Sequence, residues 1–139
     1  MSPNKHTKGM RGVHLAAAEL CRLGYSVTLT ARNSQGADLL LFDSSTGVVA
    51  SIEVKTDSSN QSFWLVSDPT KTCRVPTHFF ALVNVRPPSG DTPESIDYYL
   101  VPARILAEKT IVESNKSSTW FMFRKSSAKP FAGFGALEA

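Results

Sequence analysis

Two short stretches decide the fold of this chain: GADLLLF at residues 36–42 and SIEVK at residues 51–55. Each has the apolar and β-branched composition of a strand, and the polar run DSSTG between them is typical of a hairpin turn. The first strand opens on Asp38, and the second carries Glu53 and Lys55. Because successive strand side chains alternate between faces, Glu53 and Lys55 share one face with Ser51, while the residues between them are apolar.

If the two strands pair, Asp38 approaches Glu53, and two carboxylates and an ammonium group converge. Carboxylate oxygens are ligands for hard divalent cations, and a lysine beside such a cation can act on the water that it activates. Asp38, Glu53 and Lys55 are therefore the predicted catalytic residues. Two structural alternatives stay open: Asp38 can cap a turn, and Glu53 with Lys55 can form an exposed ion pair. A metal site is favoured because a charged pair on an internal, apolar strand needs partners.

In this order the residues resemble the PD-(D/E)xK nuclease superfamily, and most of all the branch of archaeal Holliday-junction resolvases and their small bacterial relatives. The matching motifs are L-x-x-x-G-Y-x-V at residues 20–27, N-S-x-G-A-D-L at residues 33–39 and I-E-V-K at residues 52–55. A Glu-x-Lys triplet alone is common, and its place after the helix, the glycine turn and the aspartate makes the likeness specific. The later part of the chain resembles the small bacterial relatives less specifically.

The resemblance implies an α/β fold with a restriction-endonuclease-like αβββαβ core, in which helices flank a mixed central sheet. It implies hydrolysis of DNA phosphodiester bonds that depends on Mg²⁺ or Mn²⁺. Asp38, Glu53 and the backbone carbonyl of Val54 would bind the metal, and Lys55 would be the catalytic lysine. The implied partner is DNA, including branched DNA, and the implied assembly is a homodimer, since symmetric cutting of two strands needs two sites.

The first helix departs from the family pattern. Relatives place a glutamate in its first turn, and the same register here gives Val13, which belongs to the apolar stripe of the helix. The adjacent His14 points about 100° away, and it is a candidate substitute ligand. The missing acid supports an alternative function: a catalytically weakened nuclease-fold module that binds DNA or a protein partner without cleavage. A third hypothesis is an unrelated enzyme or sensor in which the strand acids are structural.

Polar and basic residues around these strands are candidates for nucleic-acid binding. They lie in the basic N-terminus, in the turn before Asp38 and in the loop after Lys55, and they are Lys8, Arg11, Arg32, Ser34, Gln35 and Gln61. A solvated tail and ordinary polar turns explain the same residues, so both interpretations stay open.

Length and composition set the outer limits. The chain has 139 residues and 42% hydrophobic residues, which predicts one domain over residues 1–139, with a flexible basic N-terminus at residues 1–11. We expect no membrane span and no secretory signal, because no long apolar run is present. Cys21 and Cys73 form no metal or disulfide motif, Cys21 is expected in the core, and the expected compartment is the cytoplasm. The net charge of +3 and the pI near 9.0 are compatible with an anionic partner.

Hydrophobic periodicity predicts a helix at residues 12–23, and Pro102, at a favoured position for a helix start, predicts a second helix at residues 103–109. The predicted strands lie at residues 25–30, 37–42, 48–56, 62–66, 78–85, 96–101 and 120–124. Residues 68–76 are predicted to be irregular, and the tail after residue 126 has little pattern. The second helix of the family core is weakly marked.

Overall fold

The computed structural model of the protein describes residues 3–30, 37–45 and 47–138. The helices are α1 (Lys5–Arg22), α2 (Ala103–Lys109) and α3 (Lys125–Ala128), and short 3-10 turns lie at Pro69–Lys71, Lys129–Phe131 and Gly135–Glu138. The strands are β1 (Ser26–Leu29), β2 (Leu39–Asp43), β3 (Gly47–Asp57), β4 (Phe63–Leu65), β5 (His78–Arg86), β6 (Ser95–Pro102), β7 (Ile111–Ser114) and β8 (Thr119–Arg124).

Helix α1 begins at Lys5, so the prediction that it begins at Gly12 was wrong. The side chain of Asn4 accepts a hydrogen bond from the Thr7 backbone at 2.9 Å, which is the usual N-cap interaction. The basic segment predicted to be flexible is therefore helical from Lys5 onward. Gly9 and Gly12 have low helix propensity, so the sequence around them gave no sign that the helix begins at Lys5. The helix ends as expected, with Gly24 at a φ of 99° just beyond it.

A five-stranded sheet forms the centre of the fold, in the order β1-β2-β3-β5-β6. All neighbours are antiparallel except β3 and β5, which are parallel. A smaller antiparallel sheet has the order β4-β8-β7. The predicted mixed sheet flanked by helices is therefore present, with the long strand β3 in the middle of it.

The connection from β3 to β5 differs in detail from the αβββαβ order. Two parallel strands need a crossover connection, which is usually a helix. Here the crossover contains strand β4 and the 3-10 turn Pro69–Lys71, and helix α2 follows β6 instead. This explains why the sequence marks a second core helix so weakly at that place.

The two faces of the large sheet are covered by different elements. On one face α1 packs against alternate residues of β3 and β5, including Ile52, Val54 and Val83. On the other face lies a second core; its buried residues are Trp64, Val66, Phe80, Leu82, Val101, Ala103, Leu106, Phe123 and Ala128. Strand alternation assigns β5 to both cores, because all its residues except the last are buried.

Three further expectations differ from the structure. Strand β7 was not predicted, although it pairs with β8 over its whole length. The tail forms α3 and two 3-10 turns, and Gly133 bonds to the edge strand β6 while Phe134 is buried in the core. Cys21 is exposed, since it points away from the buried stripe of α1.

Within the described ranges, no helix is long and apolar enough to cross a membrane.

Candidate active site

Asp38 lies beside the part of β3 that carries Glu53. Its backbone N–H donates to the carbonyl of Ile52 at 2.8 Å, and its carboxylate oxygen Oδ2 accepts from the N–H of Val54 at 2.7 Å. Asp38 thus contacts the residues on both sides of Glu53. The N–H and carbonyl of one strand residue point to the same edge, so we expect the Val54 carbonyl to face Asp38 as well.

Glu53 and Lys55 form an ion pair on the face of β3 that looks towards the second core. The Lys55 ammonium lies 2.9 Å from Glu53 Oε2. The side chain of Lys55 is only 29% exposed and that of Glu53 only 19%. Ser67 Oγ donates to the same carboxylate oxygen at 3.3 Å. The ion pair that the sequence left open as an alternative to a metal site is therefore present, although it is partly buried and not exposed.

A cavity of about 310 Å³ opens onto Glu53. Besides Glu53 it is lined by Ser67, Lys71, Thr72, Cys73, His78 and Phe80. His78 is 2% exposed, and its Nδ1 shares a 2.8 Å hydrogen bond with Ser51 Oγ. Burial lowers the pKa of His78, although Glu53 and Ser51 act in the opposite direction, so the imidazole is neutral at pH 7.

Sequence reasoning did not single out Ser67 or His78 as part of this site. The signal for His78 was its place as the first residue of an apolar strand, since β5 pairs in register with β3 and sets His78 against Ser51. No comparable signal existed for Ser67, because the loop after β4 returns to Glu53 only through tertiary packing.

A larger groove of about 620 Å³ lies beyond Lys55, at the carboxyl end of β3. Lys5, Lys8 and Gly9 of α1 form one wall, and Gln61 lies in the loop on the other side. The structure thus brings the predicted DNA-binding residues Lys8 and Gln61 to the same groove as Lys55. Lys5, which sequence reasoning did not select, joins them.

Arg11 is placed differently from Lys8. Its guanidinium forms two hydrogen bonds to the carboxylate of Glu94, at 2.5 and 3.1 Å. The pair lines a neighbouring cavity of about 240 Å³. Arg11 is thus engaged by an acid within the protein, and its predicted contact with DNA would require that pair to open. The other candidates, Arg32, Ser34 and Gln35, lie outside the described residues.

The helix position at which the family resemblance implies a glutamate is part of the core. Val13 is 9% exposed and packs in the cluster between α1 and the sheet. His14 is exposed, and its Nδ1 lies 2.8 Å from the carbonyl of Met10 on its own helix. Neither residue lines the groove or the Glu53 cavity. The wall of α1 at the groove carries the two lysines.

A buried ion pair fixes the end of β3. Lys125 donates to Asp57 at 2.6 Å and to Asn84 at 2.9 Å, and it lies 5.5 Å from the ring of Trp64. Burial raises the pKa of Asp57, but the hydrogen bonds from Lys125 and Ser59 outweigh that effect and lower it. Asp57 is therefore ionised and paired at neutral pH.

The carboxylates of this site suit a hard cation that needs few protein ligands. In the described ranges no group of three or more His, Cys, Asp or Glu side chains converges as a metal site. Mg²⁺ is often held by one or two carboxylates while it keeps several waters and takes substrate phosphates. Asp38 and Glu53 would supply two carboxylates, and one oxygen of each already has a partner within the protein. The residues present thus fit a cation that completes its shell with water and substrate.

No protein-family model matches the chain, and no curated protein matches it. Among solved structures, the chain is similar to a bacterial homing endonuclease, I-Ssp6803I, with a TM-score of 0.57. The identity is 14%, and the match covers 94% of this chain and 88% of the endonuclease. At that identity the likeness shows the fold alone.

The fold is nuclease-like. A five-stranded mixed sheet flanked by helices and the similarity to an endonuclease agree with a restriction-endonuclease-like α/β fold, which confirms the predicted fold class. The similar structure is a homing endonuclease, so it gives no support to the Holliday-junction-resolvase branch.

Proposed function

We propose that the protein is a metal-dependent DNA endonuclease. The observation that carries the proposal is the contact of Asp38 with both neighbours of Glu53, while Glu53 holds Lys55 at 2.9 Å. Asp38, Glu53 and the Val54 carbonyl are the proposed metal ligands, and Lys55 is the proposed catalytic lysine. DNA is the proposed substrate because the groove beside Lys55 is lined with further lysines.

Each residue has a distinct task in this proposal. A bound Mg²⁺ or Mn²⁺ would stabilise charge on the phosphate and lower the pKa of a coordinated water. Asp38 and Glu53 would hold the cation beside the scissile phosphate. Lys55 would orient the attacking water and donate a hydrogen bond to a phosphate oxygen as charge develops there. Water would attack phosphorus and release a proton to solvent, while the bond from phosphorus to the leaving nucleoside oxygen would break and that oxygen would take up a proton from solvent.

Glu53 has a second task, since its carboxylate sets the position of the lysine. The ion pair holds the ammonium of Lys55, which lines the groove, and Ser67 donates a hydrogen bond to the same carboxylate oxygen. We therefore expect loss of Glu53 to remove a ligand and to free Lys55 at the same time.

The test is a cleavage assay on linear duplex, single-stranded and branched DNA with Mg²⁺ or Mn²⁺. Glu53→Gln and Lys55→Gln should each reduce cleavage by at least 100-fold, while Lys109→Gln, at an exposed lysine of α2, should not change it. Circular dichroism and thermal melting check that the variants fold. Cleavage by both site variants at the parent rate would contradict the proposal.

A second candidate function is a nuclease-fold module that binds DNA or a protein partner without cutting. Two observations favour it: a buried valine, Val13, stands at the helix position where the family resemblance implies an acid, and Asp38 and Glu53 both have partners within the protein. Calorimetric titration with Mn²⁺ separates the two functions. Metal binding that Asp38→Asn abolishes supports the endonuclease, whereas DNA binding without metal binding or cleavage supports the module.

A further inference from the structure

We infer that the groove between α1 and the end of β3 binds the phosphodiester backbone of DNA beside the cleavage site, with Lys5 and Lys8 as its phosphate contacts. The inference rests on the proposed function and names the part of the substrate that this groove takes. The groove has a volume of about 620 Å³ and extends from Lys55 to the first two turns of α1. Since a water occupies roughly 30 Å³ in the liquid, a groove of this volume is much larger than a site for one small ion.

The charge of the groove is positive. Lys5 and Lys8 are exposed, and neither forms an ion pair within the described part of the chain. Lys55 adds a third ammonium, which it shares with Glu53. The acid that lines the groove, Asp57, is 8% exposed and neutralised by Lys125. An anionic ligand in this groove therefore meets uncompensated positive charge.

The helix geometry places the two lysines on one side. Residues three apart on an α-helix are neighbours on its surface, so Lys5 and Lys8 flank the same strip. Gly9, four residues after Lys5, also lines the groove, and a Cβ built at Gly9 meets no atom within 4 Å. The helix surface next to the lysines is thus open enough for a sugar-phosphate chain to lie along it.

The charge of the groove does not continue into the neighbouring cavity. Lys8, Thr56 and Ser58 line both spaces, but beyond them the wall is formed by prolines and the Arg11–Glu94 pair. Glu94 both neutralises Arg11 and repels phosphate. We therefore place the end of the phosphate contacts at Lys8, which gives a short footprint next to the cleavage site.

The experiment measures DNA binding in EDTA, so that it does not depend on metal or cleavage. Lys5→Gln/Lys8→Gln is compared with Lys109→Gln/Lys116→Gln, which removes the same charge at two exposed lysines outside the groove. Each phosphate contact contributes about 0.9 to the slope of log K against log salt for duplex DNA. The groove variant should reduce the magnitude of that slope by about 1 to 2, and the control variant should leave the slope unchanged.

Equal slopes for the two double variants would overturn the inference, and so would a parent protein that does not bind DNA. Thermal melting checks that both variants fold. The proposed endonuclease function fails separately, as absence of cleavage by the parent with Mn²⁺. If the protein binds DNA through Lys5 and Lys8 but does not cleave it, the inference about the groove holds and the proposed endonuclease function is wrong.

Discussion

Helix α1 provides a matched test of how closely it packs on the sheet, because two of its glycines differ in their surroundings. A Cβ added at Gly12 would overlap Thr56 Oγ1 and lie 2.9 Å from Thr56 Cβ, closer than real side chains approach. A Cβ added at Gly9 meets nothing within 4 Å. Both residues lie inside the same helix, so alanine has the same intrinsic advantage at each.

The expected effects have opposite signs. Replacement of a helical glycine by alanine stabilises by about 0.5 to 1 kcal/mol where nothing else changes, which we expect for Gly9→Ala. At Gly12 the same gain is opposed by an overpacking cost of about 1 to 3 kcal/mol. Rotation of Thr56 cannot remove the clash, because its Cβ stays fixed on β3. The difference between these ranges gives Gly12→Ala a net loss of about 1 kcal/mol in the free energy of unfolding, and at most about 2.5 kcal/mol.

Urea unfolding of the two single variants measures this difference directly. For a domain of this size, 1 kcal/mol corresponds to a change in melting temperature of roughly 3 to 5 °C, so the variants should move apart by several degrees. Gly12→Ala/Thr56→Ala should recover part of the loss, since it removes Oγ1 but keeps Cβ. If Gly12→Ala stabilises the protein as much as Gly9→Ala does, α1 does not approach β3 as closely as described.

Three further changes have defined outcomes. The pKa of Asp57 is lowered in the folded protein, so its pair with Lys125 contributes stability above the unfolded pKa of about 3.9. This stability is lost as the pH falls through the folded pKa. Asp57→Asn should lower the free energy of unfolding by about 3 kcal/mol at pH 7 and flatten the acid side of a pH series of urea melts. Gly24→Ala should cost about 1 to 2 kcal/mol in thermal melting, because the φ of 99° is unfavourable for residues with a Cβ. Val13→Glu should destabilise the fold without rescue by Mn²⁺, since position 13 is buried; a melting temperature that recovers with metal would instead show that the helix faces a metal site.

Local patterns predicted much of the fold. Alternation along β3 put Glu53 and Lys55 on one face, and the structure pairs them at 2.9 Å. Helix α2 lies at Ala103–Lys109, as the proline before it predicted. The roles of Asp38, Glu53 and Lys55 in catalysis stay predictions, because position alone does not show chemistry.

Other features depend on contacts between distant parts of the chain. Lys5 reaches the groove of Lys55 because α1 packs across β3, and no local pattern links residues so far apart. Arg11 forms an ion pair with Glu94, which lies in a proline-rich loop far along the chain. In the same way, Lys125 returns from the C-terminal part to neutralise Asp57.

The sequence by itself determined which residues alternate on the strands, and hence which charged groups share a face with Glu53. Only the tertiary structure decided which of those charged groups line a cavity and which form an ion pair with another residue. The physical reason is range: strand alternation and helix periodicity are set by backbone geometry within a few residues. The charge of a groove depends on every chain segment that packs around it, and here those segments are α1, the end of β3 and the loop that carries Gln61.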